Sequence, residues 1–325
     1  MTDCRRPRAW RFLLLAFLFL VAVGGCSREP APALRIGTNV WIGSEPLYLA
    51  RELGHLPPEA VRLVEYPSAS EVLRAYRNQA LDGMVISLDE VLVLAADGLD
   101  PRIVAVVDVS HGADVVIGRS GLRTMRDLQG KRVAVESGAL GAYVLSRALT
   151  LNSMQPDDVH IVHLESNEHP AAFERGQVDA AVTFDPFRSR MLKAGANTLF
   201  DSTRIPGEIV DLLVVRDSVL AHNPGGVSVL LSGWFKAIEY LEREPADAAG
   251  RMSVRQQTSG EQFLQTLKGL RFPPREENLK MLAGPIPELA SSGRLLMGLM
   301  LGAKLLERPV EVGSLLAPDP LHRLP

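Results

Sequence analysis

Short apolar runs separated by polar turns recur along the chain with a period of two, and the segments between them have the three- and four-residue spacing of helices. Arg35-Ile36-Gly37-Thr38-Asn39, Val61–Tyr66 and Leu81–Ser87 read as strands. Between the first two, Glu45–Leu53 places Leu47, Ala50 and Leu53 on one side of a helix. Pro46 falls in its first turn, where the missing N–H costs nothing, and Gly54 is a stop. Ser70–Ala80 follows with Val72, Leu73 and Tyr76 at helical spacing. The run Leu81–Ser87 has no polar alternation, as expected of a strand buried on both faces.

The same order then returns. Arg132–Glu136 repeats Arg35–Asn39 after 97 residues, and Val159–Leu164 repeats Val61–Tyr66 after 98. Ala172–Val182 repeats Ala75–Val85 after 97, including the match of Leu81-Asp82 with Val178-Asp179. Ala139–Leu149 is the corresponding helix, with Leu140, Val144, Leu145 and Ala148 on one face. Two copies of strand, helix, strand, helix, strand predict an α/β protein of two lobes, each with a mostly parallel sheet flanked by helices. Ligands of such sheets sit beyond the carboxyl ends of the strands, so the residues just after each strand become the candidates.

The N-terminus changes the picture of where the protein works. Arg5, Arg6, Arg8 and Arg11 precede an unbroken apolar run, Phe12–Val23. Twelve helical residues rise about 18 Å, short of a bilayer core of about 30 Å, so the run reads as a secretory signal rather than a stable span. It ends in Val23-Gly24-Gly25-Cys26, which resembles the bacterial lipobox. Residues 1–25 are therefore expected to be a lipoprotein signal peptide, Cys26 the lipidated (palmitate-bearing) residue, and 26–33 a lipid-anchored tether. The other reading is an ordinary signal peptide with a chance cysteine. The chain carries a formal charge of -3, and removing the four Arg and one Asp of the leader, a net +3, leaves about -6. Neither value favours nucleic acid as a partner. Cys4 and Cys26 are the only cysteines, so cysteine nucleophiles and cysteine-ligated metals are not expected in the mature chain.

The segment from Leu34 to Ala50, followed by Arg51-Glu52-Leu53-Gly54, resembles the opening of the solute-binding proteins of ABC importers. The specific branch is the nitrate, sulfonate, taurine and thiamine-pyrimidine-precursor type. Further matches are Leu81-Asp82-Gly83, Asp127–Val135, Gly176–Ala181 and Ile209–Val215. The resemblance runs from about residue 34 to 250, and its weight lies in the order and spacing of individually weak motifs. It implies a two-lobed periplasmic-binding-protein fold of type II with a hinge between the lobes. Lobe I is then expected over 34–117 plus 210–325 and lobe II over 118–209, with crossings near Val116–Ser120 and Ile209–Val215. It also implies a monomer that binds a small molecule, hands it to an ABC permease, needs no cofactor or metal, and sits outside the cytoplasm on a bacterial membrane facing the periplasm.

The candidate ligand residues follow the strands. Asn39, Trp41, Gly43 and Glu45 come after the first, Trp41 as a ring to stack on a ligand or face a cation. A half-buried packing role for Trp41 and a helix-dipole role for Glu45 are the alternatives. Ser68, Ser87 and Asp89 follow the next two strands, and Ser68 is equally a helix cap. Asp108 ends the apolar run Ile103–Val107. In the second copy the candidates are Ser137 and Gly138 at a helix start, Glu165, and Asp185 before Pro186, with Asp211 on the returning crossover.

Acids stand at these positions and no Arg or Lys does, whereas anion receptors usually supply arginine. The expected ligand is therefore a small organic molecule bearing an amine, amidine or aminopyrimidine. Two other functions compete. One is a ligand-sensing lipoprotein that docks on a membrane kinase or cyclase. The other is a pyrimidine-metabolism enzyme, which the resemblance ties to a Cys-rich iron segment that is missing here. No Gly-x-Ser-x-Gly elbow, phosphate loop or His-Glu-x-x-His occurs, and no catalytic residue is assigned. His160, His163 and His169 are poorly spaced for zinc.

Overall fold

In the computed structural model, which describes residues 31–136 and 138–324, the first repeat forms β1 (Leu34–Asn39), α1 (Glu45–Glu52), β2 (Val61–Tyr66), α2 (Ala69–Arg77) and β3 (Gly83–Ser87). α3 (Leu88–Ala96), β4 (Pro101–Ser110) and β5 (Val115–Gly118) lead into the second repeat, β6 (Arg132–Val135), α4 (Ala139–Leu151), β7 (His160–His163), α5 (His169–Glu174) and β8 (Ala180–Thr183). After α6 (Phe187–Lys193), β9 (Asn197–Asp201) and β10 (Val210–Arg216) come α7 (Asp217–His222), α8 (Pro224–Arg243), α9 (Pro245–Ser253) and α10 (Gly260–Leu267). The chain closes with β11 (Leu270–Arg271), α11 (Arg275–Leu282), α12 (Glu288–Gly302) and α13 (Asp319–His322). The leader, Cys26 and Ser137 lie outside the described residues. Among the described residues no helix is long and apolar enough to cross a membrane.

The strands form two sheets, in the orders β11-β4-β10-β3-β1-β2 and β7-β6-β8-β5-β9. The three strands of each repeat are parallel, β2-β1-β3 and β7-β6-β8. The other pairings between strands are antiparallel, so both sheets are mixed where a mostly parallel arrangement was expected. The apolar runs that became β4, β5 and β10 carry burial in their composition but no signal of direction. β5 joins the second sheet, so Val115–Ile117, expected at the end of lobe I, pairs within lobe II, and the first crossing falls at residues 111–114.

The duplication is visible atom by atom. Arg35 grips Asp82 through Nε and Nη2, both at 2.9 Å, and donates to the Gln79 carbonyl at 3.2 Å. Arg132, 97 residues on, grips Asp179 at 3.1 and 2.9 Å and donates to the Gly176 carbonyl at 2.8 Å. Each fork ties the start of one strand to the turn before its parallel neighbour. A second pair of arginines closes the other side. Arg119, just after β5, lies over the Phe173 ring and bonds the Phe173 and Val178 carbonyls. Arg216, at the end of β10, does the same to Tyr76 and Leu81.

β5 and β10 are thus equivalent strands, yet β5 precedes its repeat and β10 follows its own. Each unit is completed by a crossing strand, and the two crossings at 111–114 and 202–209 link the sheets. The larger core lies around the first sheet, where α8, α11 and α12 bury Trp234, Leu282 and Met300. The second sheet has smaller cores on each face. α4 of the second lobe packs beside α3 of the first and contributes Tyr143 to the larger core.

Candidate functional site

The strand ends of the two sheets face one cavity. From the first lobe it is lined by Asn39, Trp41, Ala69, Val85, Ile86, Ser87 and Glu90. The second lobe gives Glu136, Leu140, Gly141, Val144, Val182, Thr183 and Phe184, and Asp114 and Asp211 come from beside the crossings. Its enclosed volume is about 50 Å³, and about 660 Å³ with the open mouth included. One water needs about 10–15 Å³, so the enclosed part holds only a few waters.

The walls of the cavity are held across the lobes. Trp41 meets Phe184 edge to face, centroids 5.1 Å apart. The Trp41 indole donates to Asp108 Oδ2 at 3.3 Å. Gly43 lies directly beneath that bond: a Cβ there would overlap Asp108 Oδ2 and Trp41 Nε1. Ser70, in the first turn of α2, reaches the second lobe twice. Its N–H donates to Glu136 Oε1 at 2.9 Å, and its hydroxyl donates to Glu165.

The electrostatics are one-sided. Glu90, Asp114, Glu136 and Asp211 line the cavity, all buried, and among the described residues no Arg or Lys lines it. Asp108 lies behind Trp41, opposite Asp211 in the β4–β10 register. Burial pushes the Asp114 carboxyl up to about 6, moderated by its bond from Ser110 and by Arg188. Burial also raises Glu136, against the pull of the Ser70 N–H. Glu90 is raised by burial and by neighbouring Asp89, and accepts from Ser87 N and Oγ at 3.2 and 2.8 Å. Asp211 is raised well above the carboxylate range by burial and then by Asp108, Asp114 and Glu90. Asp114 Oδ2 and Thr183 Oγ1 are buried on the cavity wall without a hydrogen-bond partner. Groups so placed cost free energy until something donates to them.

Of the candidate residues, Asn39, Trp41, Ser87 and Asp211 come together on the cavity, with Asp108 just behind and Gly138 close to Glu90. Other candidates turn elsewhere. Glu45 is buried against the C-terminal helices, accepting from Gln256 at 2.6 Å and pairing with Arg255 at 3.2 Å; burial raises it to about 7. Ser68 caps α2, accepting from Glu71 N at 3.4 Å. Asp89 is buried one helical step away from the cavity wall. Asp185 accepts from Ser189 N at 3.1 Å in a separate depression, and Glu165 serves the contact with Ser70. Glu90, Glu136, Thr183 and Phe184 stand at strand ends but were not selected as ligand residues, and Asp114 was not anticipated at all. All but Asp114 lie within three residues of a predicted strand end, a signal that could have found them. His160 and His163 are exposed, and burial holds His169 neutral, down to about 4.

Two α/β lobes, each completed by a crossing strand, around a small cavity at their strand ends define a protein of the periplasmic-binding-protein fold. The model of the NMT1-like family matches residues 27–254, and the chain belongs to that family.

Among curated relatives, a putative aliphatic sulfonates-binding protein of Escherichia coli (strain K12) is 31% identical over 200 residues, 59% of this chain and 62% of the relative. One of the same description from Bacillus subtilis (strain 168) is 26% identical over 254 residues, 73% of this chain and 75% of the relative. The match thus spans less than two thirds of the Escherichia coli relative. The alkanesulfonate-binding protein SsuA from Xanthomonas axonopodis pv. citri, solved bound to MOPS, superposes with a TM-score of 0.75 at 23% identity, covering 90% of this chain and all of that one.

Proposed function

We propose that the chain is the extracytoplasmic solute-binding component of an ABC importer, anchored by lipid on Cys26, and that it captures a small amine- or aminopyrimidine-bearing ligand. Family membership and the names of its relatives support binding and delivery to a permease rather than catalysis. The two sheets act as lobes, residues 34–110 with 210–324 and residues 115–201, that open and close about the two crossings. Closure is held by Ser70 on Glu136 and Glu165 and by Trp41 on Phe184.

The observation that carries the ligand class is the cavity lining, which among the described residues has four carboxyl groups and no Arg or Lys. The Escherichia coli and Bacillus subtilis relatives are named for sulfonates, which are anions. A sulfonate here would meet buried acids and no charge-assisted donor, and the desolvation of its charge would go unrepaid. An amine instead offers donors to Asp114 Oδ2 and Thr183 Oγ1, which have none. The Trp41 and Phe184 rings fit a flat or apolar body. Mass spectrometry of the protein purified without denaturation, followed by thermal-shift screening, tests the reading. The expected results are a retained nitrogenous base and stabilisation by amines or aminopyrimidines. Stabilisation by nitrate, taurine or alkanesulfonates alone would overturn it.

A further inference from the structure

Asp108 and Asp211 face each other across the β4–β10 register, next to a slip between Asp211 and Leu212. Such irregularities re-aim side chains, and here the two carboxyls lie close enough for each to act as the other's hydrogen-bond partner once one of them is protonated. Asp108 is fully buried and Asp211 is 6% exposed. The groups that bear on the pair are the Trp41 indole, Asp114 and, for Asp211, Glu90. None is a cation. Arg188 acts on Asp114, and its Nη1 donates to the Gly112 carbonyl at 2.8 Å. Two carboxyls this close, out of water and without an ion-pair partner among the described residues, do not both ionise, and a hydrogen bond between them requires a proton. Asp108 Oδ1 and Asp114 Oδ2 otherwise have no partner, and Asp114 lines the cavity.

We propose that the Asp108–Asp211 pair holds one shared proton while the cavity is empty, and that a ligand ammonium seated on Asp211 displaces that proton to solvent. The inference rests on the amine reading of the cavity. The exchange balances: one positive charge leaves as another arrives, so the pair and its occupant keep a net charge of minus one throughout. No bond of the ligand is made or broken. Selectivity follows from the same balance. A neutral isostere brings no charge to replace the proton, and an anion adds a second buried negative charge. Asp211 is then the residue that determines specificity, and Asp108 positions it while also fixing Trp41.

The test uses benzylamine as the charged probe and benzyl alcohol as its neutral counterpart, titrated calorimetrically into the protein at pH 7 in phosphate and in Tris. The binding heat should differ between the buffers by the release of about one proton per benzylamine bound. In Asp211→Asn, whose side-chain amide still bonds Asp108 and preserves the fold, the release should vanish and affinity fall at least tenfold. Benzylamine binding with buffer-independent heat would overturn the inference and leave the amine reading standing. Failure of benzylamine and of every other amine or aminopyrimidine to bind would remove both. A measurement free of ligand separates them further. The infrared difference spectrum of empty wild type against Asp211→Asn at pH 7 should contain a protonated-carboxyl band, and its absence would overturn the shared proton whatever binds.

Discussion

Gly43→Ala is the substitution whose effect follows most directly from the geometry of the site. Gly43 has no positive φ, so alanine suits its backbone, and any cost comes from space alone. The new methyl would overlap Asp108 Oδ2 and Trp41 Nε1 and stand 2.9 Å from Trp41 Cδ1. Neither neighbour is free to retreat: Trp41 is pinned against Phe184 and Asp108 against Asp211. Overpacking of this kind costs about 1–3 kcal/mol. Parting the indole from the carboxylate strands a buried donor and acceptor, about 1–3 kcal/mol more. Equilibrium urea denaturation should therefore record a loss of roughly 2–6 kcal/mol, at about 2–4 °C of melting temperature per kcal/mol. Gly225→Ala, in the first turn of α8 with nothing within 4 Å of the added carbon, should be neutral or slightly stabilising. A Gly43→Ala protein as stable as wild type would refute the packing of Trp41 on Asp108.

Three further outcomes follow. Thr183→Val removes a buried hydroxyl with no partner, so the empty protein should hold or gain up to about 1 kcal/mol in denaturation while affinity for an amine ligand drops. Ser70→Ala removes the hydroxyl bond to Glu165 but keeps the N–H bond to Glu136; small-angle scattering should find the liganded protein less closed, and an unchanged profile would speak against the contact as a latch. Stability should fall as pH rises from about 6 to 8. The native state holds protons on Glu45 up to about pH 7, and on Glu90 and Asp211 above their ordinary range, whereas the unfolded chain has released them. His169 acts oppositely as pH falls from 6.5 toward 4, a range that lies mostly below that window. A melting temperature that climbs between pH 6 and 8 would contradict the burial of these acids.

What the chain disclosed in advance depended on whether the information was local. The repeat was legible because each copy needs the same arginine at its first strand and the same aspartate 47 residues later to close one fork. The cavity was legible at Asn39, Trp41, Ser87 and Asp211 because fold geometry brings strand ends together. Helix phase decided the near misses: Asp89 and Glu90 differ by one residue, about 100° of rotation, and only Glu90 meets the cavity. Glu45 was diverted by Gln256, 211 residues away, a partner no local pattern reveals. Asp114 was missed because it precedes its strand, and its place on the wall arises from the crossing itself. The direction of β5 and β10 was likewise a property of the assembled sheets.

The central claim is that the cleft recognises positive charge or amine donors on a small molecule. Titrating the protein at pH 7 with benzylamine and with benzenesulfonate, two ligands of similar body and opposite charge, tests it most directly. The account predicts saturable one-to-one binding of the amine, weakened by Asp211→Asn, and no measurable binding of the sulfonate. Saturable binding of the sulfonate with none of the amine would contradict it.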